Sequence, residues 1–283
     1  MTLPRFARWL ATSAAILALT APQASAFGVG LQPTTVEIEL QAGQARRQVI
    51  TIANVSTERP IALTLGLADW SLTEAGQIAL APPGEMEDSA TGWVRFSPAF
   101  VDLKPGESAQ VVVDMQAPAR LPASGDHRFA LLASTLLPED RGGTSGVWRK
   151  YQLASLFYLT VGDATSQPVI TGAALDASET GGARVNLAVE NSGNAHARLG
   201  GVAEARSASG DVIATAEVNN LVVLDGARRV YPIEFTEALP PDALIEVRLE
   251  NTFAPDVEGR TRVLEPWRAP VGALAAPVAS DAR

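Results

Sequence analysis

Short stretches in which apolar and polar residues alternate recur along this chain, separated by Gly, Pro, Asn and Asp. A period of two places one side of an extended strand against a core and the other in water, so each stretch predicts a half-buried strand. Val36-Glu37-Ile38-Glu39-Leu40 alternates without a fault, and Gln41-Ala42-Gly43-Gln44 then turns the chain. Gln48 to Ile52, ended by Asn54, and Ile61 to Leu67 continue the series. A loop around Pro82-Pro83-Gly84 precedes Trp93 to Phe96, and the turn Lys104-Pro105-Gly106-Glu107 precedes Gln110 to Met115. His127 to Leu136 and Val147 to Val161 complete this half, and no segment carries a helical period.

Strands of this length with turn signals between them predict an all-β fold, with an immunoglobulin-like sandwich over residues 27–163. The polar stretch from Gly162 to Pro168 marks a domain boundary, after which the same pattern restarts. Arg184 to Val189, Val212 to Val218 and Leu244 to Leu249 read as strands, and Glu190-Asn191-Ser192-Gly193-Asn194 is a dense turn cluster. A second, smaller immunoglobulin-like sandwich is expected over residues 164–268. Residues 269–283, rich in Ala and Pro, are expected to form a disordered tail.

Residues 1–26 break the pattern. Arg5 and Arg8, the apolar run from Trp9 to Leu19 and the small residues Ala24-Ser25-Ala26 follow the order of a secretory signal peptide. The apolar run is shorter than the ~20 residues a membrane span needs, so the expectation is a cleaved, exported chain with no membrane insertion. In that setting the absence of cysteine excludes disulfides and leaves stability to the core alone. The 31 acidic residues outnumber the 22 basic ones, and losing Arg5 and Arg8 widens the gap. Such a balance argues against nucleic acid or an anionic membrane as partner.

Candidate chemistry is sparse. His127 and His196 are the only two histidines, they fall in different halves, and neither has a second His at zinc-ligand spacing. His127, in Gly125-Asp126-His127-Arg128-Phe129, enters a strand, where a surface or strand-edge position is expected. Ser145, in Gly142-Gly143-Thr144-Ser145-Gly146, lacks both the Lys-Ser of a phosphate loop and the setting of a nucleophile elbow. Glu85, Glu87 and Asp88 lack the ligand spacing of a calcium loop and read as a solvated loop. No metal, no cofactor and no catalytic activity are expected.

The run from Val147 to Val161 is far longer than the typical strand of about five or six residues. It predicts either an edge strand, able to capture another chain by β-augmentation, or an interior strand whose length spans the sandwich.

These motifs, in this order, resemble those of the PapD-like periplasmic pilus chaperones. The similarity runs from Val29 to Trp267. It rests on Trp93-Val94-Arg95-Phe96-Ser97-Pro98, on Leu103 to Ser108 followed by Val111-Val112-Val113, and on Gly125 to Ala130 before Leu156-Phe157-Tyr158. In the second half it rests on Val189-Glu190-Asn191-Ser192-Gly193-Asn194. The resemblance implies two immunoglobulin-like domains joined in an L and a periplasmic location. It also implies a mechanism, in which the last strand of the first domain completes a pilin or fimbrial subunit that lacks its own final strand. An outer-membrane usher is the further partner it implies.

By the same resemblance the client-binding residues are Trp148, Arg149, Lys150, Tyr151, Leu153 and Phe157, with Ser155 and Thr35 at the positions where the family holds the client carboxylate with Lys and Arg. Neither Ser155 nor Thr35 is cationic, and Arg149 and Lys150 are the nearby substitutes. This register aims Trp148, Lys150, Gln152 and Ala154 at the client, and a shift of one residue would exchange the faces. A static structural or adaptor module of the cell envelope is the alternative function, and self-association through an exposed strand a further expectation.

Overall fold

A computed structural model describes residues 28–138, 148–178, 181–253 and 263–274. The expected signal peptide, the glycine-rich loop around Ser145 and the end of the expected tail lie outside the described residues.

The first sandwich is built from β1 (Val29–Gln32), β2 (Thr35–Leu40), β3 (Ala45–Asn54), β4 (Ile61–Leu72), β5 (Ile78–Ala81), β6 (Val94–Ser97), β7 (Phe100–Leu103), β8 (Ser108–Gln116), β9 (Gly125–Pro138) and β10 (Trp148–Val161). One sheet runs β1-β3-β8-β6 and the other β2-β10-β9-β4-β5, with β7 also paired to β4. Alternation decides which side chains meet between them. Ile50, Ile52, Val111 and Val113 of the first sheet pack against Leu63, Phe129, Leu131, Phe157 and Leu159 of the second. Phe129 and Phe157 stack with ring centroids 4.3 Å apart.

The second sandwich comprises β11 (Pro168–Ala177), β12 (Ala183–Asn191), β13 (Ala197–Arg206), β14 (Val212–Val223), β15 (Arg228–Phe235), β16 (Leu244–Asn251) and β17 (Trp267–Pro270). Its sheets run β11-β12-β15 and β14-β13-β16-β17. Val185, Leu187, Leu221, Phe235, Ile245 and Val247 form its core. The only helical geometry among the described residues is two single 3-10 turns, at Thr91–Trp93 and Val271–Ala273.

Two expectations change. The tail does not begin at residue 269: β17 pairs antiparallel with the edge of β16, Val247 opposite Trp267, and Val271 is buried in the second core. Completing a sheet edge outweighs the low apolar content of this segment. His127 is buried rather than at the surface, its ring 4.5 Å from that of Trp93. The loop holding Glu85, Glu87 and Asp88 is solvated at Glu85 and Glu87 as expected, while Asp69 accepts the Met86 N–H at 2.8 Å and the half-buried Asp88 pairs with Arg128. The strands that the pattern missed in the first half, β1, β5 and β7, are four residues each.

Replacing Phe157 with Ala removes a fully buried ring from the centre of the first core and should lower stability by ~3–5 kcal/mol, measured by urea unfolding of the purified protein.

Candidate functional site

All fourteen residues of β10 pair antiparallel with β9, Trp148 opposite Pro138 and Val161 opposite Gly125. On its other side β10 pairs with β2, in parallel, only from Leu156 to Val161. The cause is a change of sheet. The segment Val29–Gln32 pairs with β3, and the chain then crosses at Pro33-Thr34 to reach β10 as β2. Both open readings of the long strand therefore hold, each for one half: residues 156–161 are interior, and residues 148–155 form an edge that pairs with β9 alone among the described residues.

The parity of that edge follows from one bond. The Leu156 N–H donates to Thr34 O at 2.9 Å, on the β2 side. Backbone groups alternate along a strand, so the N–H and C=O of Lys150, Gln152 and Ala154 point to the same side, where no strand lies. Side chains alternate about the other axis. Leu153, Phe157, Leu159 and Val161 face the first core. Ala154, Leu156 and Tyr158 face the second sandwich, grouped with Trp70, Leu132, Val222 and Leu224. Leu153 also lines an open recess beside the edge, together with Val29 to Thr35, Val49 and Thr51.

The residues singled out by resemblance separate on this frame. Lys150 is exposed, while Tyr151 and Leu153 are half-buried on the free half of the strand. The backbones of Trp148 and Arg149 continue that half, and their side chains lie outside the described residues. Phe157 is a correction: at 0% exposure, stacked on Phe129, it holds the protein's own core and presents no side chain to a client. Ser155 is another. It is 0% exposed and its hydroxyl donates to Pro33 O at 2.7 Å, closing the point where the chain crosses between sheets. Thr35 is exposed beside it, opposite Leu156. The structure thus brings Thr35 and Ser155 together at the inner limit of the free edge, without a charge on either.

Behind the edge the two sandwiches meet in a polar joint that sequence reading missed. Asp126 on β9 and His196, in the turn between β12 and β13 of the second sandwich, are both 0% exposed at the side chain. Asp126 Oδ2 accepts the backbone N–H of His196 at 2.6 Å and lies 2.6 Å from its Nδ1, while Oδ1 accepts the Thr160 hydroxyl at 2.6 Å. His196 Nε2 lies 3.5 Å from Oε1 of Glu37 on β2, and Glu37 is bound by Arg198 of β13. Burial opposes the charge on Asp126, yet hydrogen bonds from His196 and Thr160 outweigh it and hold the carboxyl below its usual 3.8. Burial likewise opposes a proton on His196, and the bond to Asp126 together with the nearby Glu37 carboxylate overcomes this and raises it above 6.5.

A second ionic contact lies on the same side. Arg128, its side chain 7% exposed, spans Asp88 of the first sandwich and Asp225 of the second. The turn cluster that was legible in the sequence is the mechanical part of the joint. Asn194 O accepts the Asp126 N–H at 2.8 Å, and the Asn194 amide donates to Ser124 O and Asp163 O at 3.0 Å each. Gly125 has φ +118°, and a side chain there would strike the Asn194 carbonyl. The sequence signal that marked this region was Gly125-Asp126-His127-Arg128, where charged residues enter an otherwise apolar strand.

No family model matches this sequence and no curated protein matches it. Among solved structures it is similar to the class 5 fimbriae chaperone CfaA, with 11% identity and a TM-score of 0.43 over 89% of this chain and 100% of that one. It is similar to the Pseudomonas aeruginosa CupB2 chaperone, with 12% identity and a TM-score of 0.42 over 86% and 100%. It is also similar to a chain of the Salmonella enterica SafA pilin–SafB chaperone complex, with 15% identity and a TM-score of 0.40 over 87% and 97%. At TM-scores below 0.5 these likenesses carry no weight for the site.

Replacing Arg128 with Ala leaves two partly exposed carboxylates without their shared partner and should cost about 1–3 kcal/mol, less than for a fully buried pair; differential scanning calorimetry of the variant checks it.

Proposed function

We propose that this protein is a non-enzymatic periplasmic chaperone that holds pilus or fimbrial subunits by donor-strand complementation. The observation that carries the reading is the free half of β10. Its outward-pointing backbone groups at Lys150, Gln152 and Ala154 form a ready template for an incoming strand, and such edges bind extended segments through main-chain hydrogen bonds. Leu153 and the recess beside it offer the apolar contact that accompanies strand addition. The sequence motifs that resemble the PapD-like family support the choice of client. An outer-membrane usher is the partner to which the loaded chaperone would deliver, and Lys150, exposed on the free half, is the proposed contact for a client carboxylate, with Arg149 next to it. Tyr151 and Leu153 remain the proposed packing residues, and Phe157 leaves that set.

A static adaptor of the cell envelope is the second reading. The observation favouring it is that Arg128 and Arg198, the cations of the joint, are both taken up by carboxylates of the protein itself.

The variant Gln152→Pro separates the two. The Gln152 N–H points away from β9, so proline there removes no bond of the existing ladder while blocking strand addition, as on other edge strands. Co-expressed with a pilin subunit lacking its final strand, the unchanged protein should co-purify with it in equal amounts. Gln152→Pro should lose the subunit while keeping its own melting temperature. Retention of the subunit by Gln152→Pro would defeat the donor-strand mechanism, and an unchanged protein that purifies alone would favour the adaptor.

A further inference from the structure

His196 sits between two acids on two different strands of the first sandwich: Asp126 on β9, 2.6 Å from Nδ1, and Glu37 on β2, 3.5 Å from Nε2. Each oxygen of Asp126 already accepts a donor, Thr160 on one and the His196 backbone on the other, so the proton shared with Nδ1 belongs to the ring. A neutral imidazole has one bare nitrogen. Here either choice points that lone pair at a carboxylate. The remaining groups that face the ring are Tyr158 of β10, centroid 4.2 Å away, and Phe253, 3.8 Å away. Arg198 completes the set by binding Glu37 and the side chain of Asn220. Two carboxylates thus face two cations, and the cluster is neutral only when His196 carries both protons.

We infer that the doubly protonated imidazole of His196 is the pin that locks the second sandwich onto β2 and β9, and that the joint loosens when this proton is lost. Every direct contact of the ring crosses from one sandwich to the other except that with Phe253, so deprotonation acts on the angle between the sandwiches rather than on either core. The sign follows from the directions of the shifts. His196 titrates higher in the folded protein than its ordinary 6.5, so its contribution is complete below that value and lost as pH rises through the folded one. Asp126 and Glu37 titrate lower than their ordinary 3.8 and 4.5. In Glu37 burial again opposes the shift, and the nearby His196 ring together with the bonds from Arg198 overcomes it. Their contributions are complete above those ordinary values and lost as pH falls through the folded ones. The joint is therefore tightest between the two limits, and its alkaline limit belongs to His196.

The test is an NMR titration of the imidazole C–H signals of the full exported chain, in which His127 is the only other histidine, run in parallel with small-angle X-ray scattering over the same pH series. The His196 midpoint should lie above 6.5, and the radius of gyration should rise through that same midpoint. Glu37→Gln should move both midpoints down together, because it removes one of the two negative charges, and His196→Gln should abolish the scattering transition. Should His196→Gln fail to fold, the coincidence of the two midpoints in the unchanged protein and their joint displacement in Glu37→Gln still decide. A His196 midpoint below 6.5, or a scattering profile that stays constant while His196 titrates, would overturn the inference.

Discussion

β10 has unequal neighbours. β9 covers its full fourteen residues and β2 only the last six. Backbone N–H and C=O groups are obligatory hydrogen-bonding groups, and where no strand meets them they must be met by water or by another chain. The inequality comes from the way the first segment is divided between two sheets. Val29–Gln32 serves the β1-β3-β8-β6 sheet, and the chain arrives at β10 only at Thr35. Ser155, bonded to Pro33 O, fixes the inner limit of what is left uncovered. The length of the free edge is thus the length of β10 that β2 does not reach.

The same two neighbours of β10 are the strands that the second sandwich grips. β2 contributes Glu37 and β9 contributes Asp126 and Arg128, and their partners His196, Arg198 and Asp225 lie on the other sandwich. An apolar layer of Trp70, Ala130, Tyr158, Val222 and Leu224 lies on the same face, with the Trp70 and Tyr158 rings edge to face at 4.9 Å. Burying charge is costly, and a pair of this kind stabilises less than an apolar contact of equal volume. What it adds is direction. The Asp126–His196 bond and the Arg128 bridge require particular partners, whereas the apolar layer alone would tolerate sliding.

The β4–β5 hairpin supplies a second hold away from the ionic cluster. Glu74 O accepts the Val230 N–H and a guanidinium N–H of Arg229, each at 2.8 Å, so the tip of the hairpin docks on the edge of β15. Gly76, with φ +83°, lies so close to the Arg229 guanidinium that a side chain at this position would collide with it. Two separated holds on one hairpin-bearing sheet restrict rotation more than either does singly. The free half of β10 is consequently presented from a frame braced at both sides.

The alternation in Val36 to Leu40 and in Gln110 to Met115 was enough to place strands and their buried faces, because a period of two is a local property of the chain. The turn residues Gly106, Asn191 and Gly193 likewise announced where strands end. The sequence also contained the long run ending at Val161, without the means to say which part was an edge, since that depends on where a segment more than a hundred residues away crosses between sheets. Phe157 illustrates the limit: its apolar character was visible, its role was not, because a core residue and a client-packing residue have the same chemistry. His196 and Asp126 lie seventy residues apart, and nothing local distinguishes a buried cross-domain pair from two polar residues near turns. Local periodicity therefore determined the strands and the two-sandwich plan, while the free edge, its inner limit and the ionic joint were decided only by tertiary structure, because each is a relation between strands distant in sequence.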